Sequence, residues 1–239
     1  MIISINDQRI DSFQRLMIDA NIAISYLDST HILNSKVKKK LQNLRIDGST
    51  FYYSQPVLLE VKNYWRRKLI TECIELHLQK GQSLFKKFEK KYIEFRSSNS
   101  NGPLKEYQLK ALRETLENIA KGKGVDLWFT LCDQALGNQF KKLDEMLSQS
   151  NFIYAKFGDN DVYPSDEKDS WPKWDSADLL MEKYGLASND AAILNMVNGG
   201  KNIEGFISND GDILFAAAKK ALGKIPTITF LNLESYQAN

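Results

Sequence analysis

Four acidic residues occupy comparable positions in this chain, because each follows a short apolar run and lies near the start of a predicted helix. They are Asp19, Glu60, Asp190 and Asp210. In a parallel α/β sheet such chain ends meet at one edge, where ligands bind. Four carboxylates gathered there repel one another and raise one another's pKa unless a cation is present. Carboxylate oxygens suit Mg²⁺ or Mn²⁺, so the pattern predicts a metal site, and metal-dependent chemistry on a phosphate is its commonest use.

The segments around these acids resemble the sequence motifs of PIN-domain nucleases. The segment 16–21, Leu-Met-Ile-Asp-Ala-Asn, resembles the opening Asp-x-Asn signature of that family. The segments 58–61, 185–194 and 207–212 are similar to its second, third and fourth acidic motifs, in the same order. The resemblance covers roughly residues 13–75 and 178–235, and four motifs in order are far more specific than any one alone.

This resemblance implies a fold and an activity. The fold is a three-layer α/β domain with a mainly parallel central sheet. The activity is metal-dependent endonucleolytic hydrolysis of phosphodiester bonds, with RNA favoured over DNA and a toxin-type ribonuclease as one biological context. In the implied mechanism Asp19, Glu60, Asp190 and Asp210 are catalytic residues that hold one or two Mg²⁺ or Mn²⁺ ions, and a metal-activated water attacks the phosphodiester.

Three further residues have roles that the resemblance suggests. Asn21 is expected to orient Asp19 or a metal-bound water by hydrogen bonding, and Ser208 supplies a hydroxyl two positions before the fourth acid. Asp212 is either an additional, outer metal ligand or simply an acid at a helix N-terminus, and the second interpretation is slightly favoured. Asp28 is interpreted as a surface residue that ends its turn.

Two alternatives stay open beside the nuclease hypothesis. The acids could merely cap helices, an interpretation that suits Asp190 and Asp210 but does not explain Glu60, a full turn into its helix. The domain could also bind nucleic acid or protein without cutting it. A homodimer and an antitoxin-type protein stay open as partners.

The elements that must position these acids can be read from hydrophobic pattern and turn signals. Strands are predicted at residues 15–19, 50–53, 203–208 and 225–231, and helices follow each of the four acidic motifs. This alternation predicts a parallel α/β sheet. Glu60 and Asp190 are 130 residues apart, so residues 1–75 and 176–239 are expected to form the domain around a helical insertion with an acidic, Trp-containing loop, at 76–175.

The same signals predict further details of the helices. Every fourth residue from Val57 to Cys73 is apolar, which predicts the core face of one helix. Apolar residues that include Tyr107 mark a second helix at 104–119, and leucines mark a third at 127–147. Gly185 is predicted to end one helix of the main domain, and Ser188 is the predicted N-cap of the next.

The insertion has an uneven charge distribution. Residues 80–123 hold eleven Lys or Arg against five Glu and no Asp. A basic helix face is usually just solvated, but beside a phosphate-processing site it becomes a candidate contact for nucleic acid. The candidate residues are Lys86, Lys87, Lys90 and Lys91, opposite an aromatic stripe of Phe85, Phe88, Tyr92 and Phe95 that is expected to pack in a core.

Composition excludes several other classes of protein. The formal net charge of +2 gives no global attraction for a polyanion. Only two histidines are present and neither lies in a triad-like context, and the chain lacks a Gly-rich nucleotide-binding loop. Residues 1–6 lack a basic n-region and a long apolar core, so they are not expected to act as a secretory signal. No apolar run approaches the ~20 residues needed to span a bilayer. A cytoplasmic protein without a membrane contact is therefore expected.

Overall fold

The computed structural model describes residues 1–81, 83–86, 89–97, 102–121, 126–156, 162–163 and 174–232. The chain forms two compact units, one of residues 1–61 with 146–239 and one of residues 62–145. The insertion predicted at 76–175 therefore differs from the second unit at both ends. Residues 146–156 belong to the first unit, where they add a strand that the sequence pattern did not predict.

The first unit contains a six-stranded sheet in the order β1-β6-β5-β2-β3-β4. Each neighbouring pair among the described strands is parallel, which confirms the predicted α/β fold with a parallel sheet. The strands are β1 (Ile2–Ser4), β2 (Arg15–Ile18), β3 (Thr50–Tyr53), β4 (Phe152–Tyr154), β5 (Gly205–Ile207) and β6 (Thr227–Thr229).

Helices connect the strands and flank the sheet, as in a three-layer α/β fold. A 3-10 turn, Gln8–Ser12, precedes β2. The α-helices are α1 (Ala20–Leu27), α2 (Asn34–Ile46), α3 (Gln55–Gln79), α4 (Ser83–Lys86), α5 (Glu89–Ser97), α6 (Glu106–Ala120), α7 (Leu127–Leu136), α8 (Gln139–Gln149), α9 (Trp174–Tyr184), α10 (Ser188–Gly199) and α11 (Gly211–Ala218). Among the described residues, no helix combines the length and the apolar character that crossing a lipid bilayer requires.

The central strands are mostly apolar because a parallel sheet is covered on both faces. Leu16, Met17 and Ile18 of β2 are all buried, as is Phe206 of β5. From β2 the chain proceeds to β3 and β4 on one side, whereas β5 and β6 lie on the other side. The strand order therefore reverses between β2 and β5, the position at which open α/β sheets bind ligands.

The second unit has a separate core formed by helices. Ile70 and Ile74 of α3 pack there with Phe85 and Tyr92, which confirms the core role predicted for those two aromatic residues. Phe95 packs against the cluster, and Phe88 lies outside the described residues.

One predicted helix is divided in two, and one predicted core stripe holds only in part. In the stripe of every fourth residue from Val57 to Cys73, Val57 and Val61 are buried and Cys73 packs partly buried against the core of the second unit. Ile70 and Ile74 supply the core contacts farther along α3, because steps of four drift around a helix of 3.6 residues per turn. The single helix predicted from residue 127 to 147 is two helices, since the chain turns at Gly137 with φ 24°. Tyr107, one of the residues that mark the predicted helix at 104–119, is 63% exposed.

The acidic segment between the insertion and the second half of the domain is described at only a few positions. Tyr163 is fully buried, and its hydroxyl donates a hydrogen bond to the carbonyl of Met196 at 3.2 Å. The amide of Lys201 donates to the carbonyl of Val162 at 2.7 Å. Residues 162–163 are therefore packed within the first unit, to which they belong, whereas residues 157–161 and 164–173 of the predicted acidic loop lie outside the described residues.

Gly205 of β5 lies in the core of the sheet, where a side chain would meet close neighbours. A Cβ atom there would come within 2.9 Å of side-chain carbons of Leu16 and Ile228. Because these neighbours are buried, we expect Gly205→Ala to lower the free energy of unfolding by about 1–3 kcal/mol, measured by urea denaturation. Gly211→Ala is the matched control, since a Cβ there meets nothing within 4 Å. Equal stability of the two variants would contradict the crowding argument.

Candidate metal centre

Three carboxylates lie close together beyond the carboxyl end of β5 and at the start of α10. One oxygen from each of Asp190, Asp210 and Asp212 lies within 4.8 Å of the other two. Asp190 is in the first turn of α10, Asp210 is the N-cap residue of α11, and Asp212 is in the first turn of α11. Two helix N-termini thus bring their acids to one place, where the positive ends of the helix dipoles favour negative charge.

This group fits a small divalent cation. Mg²⁺ takes oxygen ligands at about 2.1 Å in octahedral geometry, which holds neighbouring ligand oxygens about 3 Å apart and opposite ones about 4 Å apart. Three carboxylate oxygens within 4.8 Å of one another meet that requirement with small side-chain movements. Asp212 belongs both to this group and to the first turn of α11, so the geometry is compatible with both interpretations of this residue.

Asp19 is buried directly after β2 and is held by three hydrogen bonds. Its Oδ1 accepts from the amide of Ala20 at 2.7 Å, so it caps α1. Its Oδ2 accepts from Asn21 Nδ2 and from the Ser208 hydroxyl, each at 2.6 Å. The hydrogen bond predicted from Asn21 to Asp19 is present, and the carboxylate is fixed in one orientation.

Ser208 connects the end of β5 to the end of β2. While its hydroxyl donates to Asp19, it accepts from the amide of Asp210 at 3.0 Å. Asn21 Oδ1 accepts from the amide of Asn209 at 3.2 Å, which adds a second link between the same two loops. Rigid support of this kind holds the acidic side chains in place with little reorganisation.

Glu60 reaches the same region from α3. It is half-buried, and its Oε1 accepts a hydrogen bond from Asn189 Nδ2 at 3.0 Å. Asn189 directly precedes Asp190 at the start of α10. This contact joins the second and third acidic motifs, which are far apart in the chain.

Electrostatics link all of the predicted acids. Burial raises the pKa of Asp19 to about 7, with smaller contributions from the charges of Glu60 and Asp210. Burial also raises the pKa of Asp190 to about 6, followed by the charges of Asp210, Glu60 and Asp212. The pKa of Glu60 is raised by burial and by Asp210, against the hydrogen bond from Asn189. Such mutual repulsion is relieved when a cation binds.

The helix-cap alternative accounts for part of this arrangement. Asp19 caps α1, and Asp210 Oδ1 accepts from the amides of Asp212 and Ile213 at 2.9 and 3.1 Å. It does not account for Glu60, which lies in the second turn of α3. The N-cap residue of α10 is Ala187, so the N-cap predicted at Ser188 is wrong.

Sequence reasoning missed two asparagines of the site. Asn189 binds Glu60, and Asn209 Oδ1 accepts from the Thr229 hydroxyl and the Phe230 amide, each at 2.9 Å. A signal was available, because the triplet Ser-Asn-Asp occurs at both 188–190 and 208–210.

Two other expectations change. Asp28 is buried rather than on the surface, and its Oδ1 accepts from the amide and hydroxyl of Thr30 at 2.9 and 2.7 Å. Lys86 and Lys90 are exposed as predicted, but Lys91 is half-buried with its amine 3.3 Å from the Thr115 hydroxyl. Lys87 lies outside the described residues.

Comparison of the whole chain with models of known protein families, with curated proteins and with solved structures found no match.

Proposed function

We propose that the protein is a metal-dependent endonuclease that hydrolyses phosphodiester bonds, with RNA favoured over DNA as its substrate. The observation that carries this proposal is the gathering of acids at the point where strand order reverses. Asp190, Asp210 and Asp212 supply ligand oxygens within 4.8 Å of one another, and Asp19 and Glu60 interact electrostatically with Asp210. Carboxylate-only sites of this kind suit Mg²⁺ or Mn²⁺.

The acidic side chains would hold the ion, with Asp190, Asp210 and Asp212 as the nearest group and Asp19 and Glu60 beside them. When bound, the ion lowers the pKa of a water molecule and neutralises charge on the scissile phosphodiester. Ser208 and Asn21 keep the Asp19 carboxylate in one orientation through their 2.6 Å hydrogen bonds. Asn189 does the same for Glu60.

A second candidate function is a domain that binds nucleic acid or protein without cutting it. The hydrogen bonds that Asp19 and Asp210 make as helix caps favour it, because they give those acids a structural use. The gathering of Asp190, Asp210 and Asp212 within 4.8 Å favours the nuclease, since a helix cap has no need of two neighbouring carboxylates. Burial is the main cause of the raised pKa values of Asp19 and Asp190, and it is compatible with either function. A homodimer and an antitoxin-type partner remain compatible with either function.

The test is cleavage of end-labelled RNA and DNA of the same sequence with Mg²⁺ or Mn²⁺. We expect wild type to cut RNA in the presence of either ion and to stop in excess EDTA. Asp19→Asn should remove most cleavage while circular dichroism stays unchanged, because Asn keeps the size of the side chain and loses its charge. Cleavage that persists in EDTA or in this variant would exclude the mechanism, and RNA binding without cleavage would favour the second function.

A further inference from the structure

The two compact units differ in charge. Residues 62–145 hold seventeen Lys or Arg against eleven Asp or Glu, a formal charge of +6. The rest of the chain holds fifteen against nineteen, a formal charge of −4. The net charge of the whole chain is only +2 because a basic second unit is offset by an acidic first unit. The second unit is therefore the part of the protein suited to attract a polyanion.

A groove in this second unit combines cations with aromatic rings. It has a volume of about 540 Å³ and lies among α3, α6 and α7. Its lining includes Arg66, Tyr107, Lys110, Arg113 and Trp128, with Glu106 as the acid. We call it the α6–α7 groove.

The face of α6 in this groove is distinct from its core face. Tyr107, Lys110 and Arg113 recur every three residues, which places them along one side of the helix. Leu112 and Leu116 are buried in the core of the second unit, whereas Leu109 belongs to that core and also lines the groove. The sequence of α6 therefore alternates core residues with a face that presents one ring and two cations to the groove.

The ion-pair partners of Arg66 and Arg113, Glu106 and Glu117, are themselves exposed to solvent. Arg66 pairs with Glu106 and binds Asn63 Oδ1 at 3.0 Å, and Arg113 Nε lies 3.5 Å from Glu117. Ion pairs between side chains of this exposure contribute about 0–1 kcal/mol. A phosphate can therefore take their place at small cost and gain a planar, bidentate partner.

The aromatic residues decide between possible occupants. Tyr107 is 63% exposed and Trp128 is half-buried, so both rings have surface available for contact. An acidic peptide would satisfy the cations but leave the rings without a role. A nucleotide uses both, because its base stacks on an aromatic ring while its phosphate contacts Arg or Lys.

We propose that the α6–α7 groove binds a short stretch of single-stranded nucleic acid, with a base stacked on Tyr107 or Trp128 and phosphates contacting Arg66, Lys110 and Arg113. This inference rests on the proposed function, because it takes nucleic acid as the substrate. It adds an attachment point within the second unit that is separate from the acidic residues of the first.

The test measures equilibrium binding of a fluorescent single-stranded RNA of about twelve nucleotides in EDTA, where cleavage is blocked. Tyr107→Ala is expected to weaken binding at least about fivefold, the lower limit for loss of one stacked base. Lys110→Gln is expected to weaken binding and to reduce the slope of log affinity against log salt by about 0.7. Both side chains are exposed, so folding is not at risk.

Matched controls lie on the same unit outside the groove. Phe129 is 68% exposed and Lys142 is exposed, so Phe129→Ala and Lys142→Gln remove a comparable ring and charge. We expect both controls to bind as wild type does. Equal losses in the controls and the groove variants would overturn the proposal, as would a wild type that does not bind the RNA.

An abasic strand of the same length and a poly-glutamate peptide separate stacking from charge. We expect both to bind far more weakly than the RNA and to be insensitive to Tyr107→Ala. If either binds as tightly as the RNA, the groove selects charge alone and the proposal fails. Cleavage of the same RNA by wild type in Mn²⁺ is measured in parallel and tests the nuclease function. Because binding is measured in EDTA, its result does not depend on cleavage, so failure of the groove proposal can be distinguished from failure of the nuclease proposal.

Discussion

Asp190→Asn and Asp210→Asn are each expected to lower kcat/KM for cleavage by about 10²- to 10³-fold, the range seen when one charge-stabilising group is removed. Asn is nearly the same size as Asp, and it is also a good N-cap residue, so the cap that Asp210 provides for α11 should be retained. What is lost is the negative charge that favours a divalent cation. Initial rates with labelled RNA over a range of Mn²⁺ concentrations give the measurement.

Asp212→Asn distinguishes two interpretations of that residue. Asp212 is exposed in the first turn of α11 but lies within the same group of oxygens as Asp190 and Asp210. As a ligand it should raise the Mn²⁺ concentration needed for half-maximal rate at least about tenfold. As a helix-terminal acid alone it should change only stability, by less than about 1 kcal/mol.

Asp175→Asn is the matched control for this series. Asp175 is also an exposed acid in the first turn of a helix of the first unit, and it is not part of the carboxylate group. We expect its kcat/KM and Mn²⁺ dependence to equal those of wild type. Full activity in Asp190→Asn and Asp210→Asn, or an equal loss in Asp175→Asn, would remove the carboxylate group from the mechanism.

The second large effect is on stability in the absence of metal. The pKa of Asp19 is about 7 in the folded protein, whereas the unperturbed value of 3.8 applies to the unfolded chain. Because the folded-state pKa is raised, the folded protein holds this proton more tightly than the unfolded chain does. The contribution to stability is therefore complete below pH 3.8 and is lost as the pH rises through about 7. At about 1.4 kcal/mol per pH unit, the loss reaches at most about 4 kcal/mol.

The Asp19→Asn variant has no ionisable side chain at this position, so its free energy of unfolding should not fall as this carboxyl group would ionise. In EDTA we expect this variant to be more stable than wild type at pH 8 and equal to it at pH 3.5, as measured by urea denaturation. Asp190, whose pKa is raised to about 6, should contribute a smaller change of the same sign. A wild type whose stability rises with pH relative to Asp19→Asn would contradict the burial of an unfavourable charge at this site.

A bound cation should reverse the instability at high pH. Ligand at 100 times its dissociation constant stabilises the folded state by about 2.7 kcal/mol, so Mn²⁺ should raise the Tm of wild type at pH 8. The rise should disappear in Asp190→Asn and Asp210→Asn and persist in Asp175→Asn. NaCl at equal ionic strength controls for general screening, and an equal rise in NaCl would exclude a specific cation site.

Local pattern in the sequence determined most of the first unit. β3 was predicted with its observed bounds, and β2, β5 and β6 each lie within the predicted ranges. Gly185, predicted to end α9, has φ 68°, a conformation that glycine adopts without strain. These features follow from hydrophobic runs and turn residues, which act over only a few positions along the chain.

The same local signals failed where neighbours distant in sequence decide the structure. β1 and β4 are three-residue strands whose partners are β6 and β3, more than ninety residues away in each case. Tyr107 fits a helical apolar pattern, but the packing of α6 leaves it exposed. Periodicity indicates that a face can be buried, whereas only the packed helices determine which face is.

Some features of the candidate site could also be predicted from local sequence, whereas others depend on the tertiary structure. The sequence by itself determined which acids follow strands, because an apolar run that ends in Asp and begins a helix is visible in the residues around Asp19 and Asp210. Only the tertiary structure decided that Asp212 joins Asp190, that Asn189 binds Glu60 and that Ser208 bridges to Asp19. Those contacts depend on the strand order, which brings together chain ends up to 189 residues apart. The order is fixed by the burial of apolar faces across the whole unit, and no local segment encodes it.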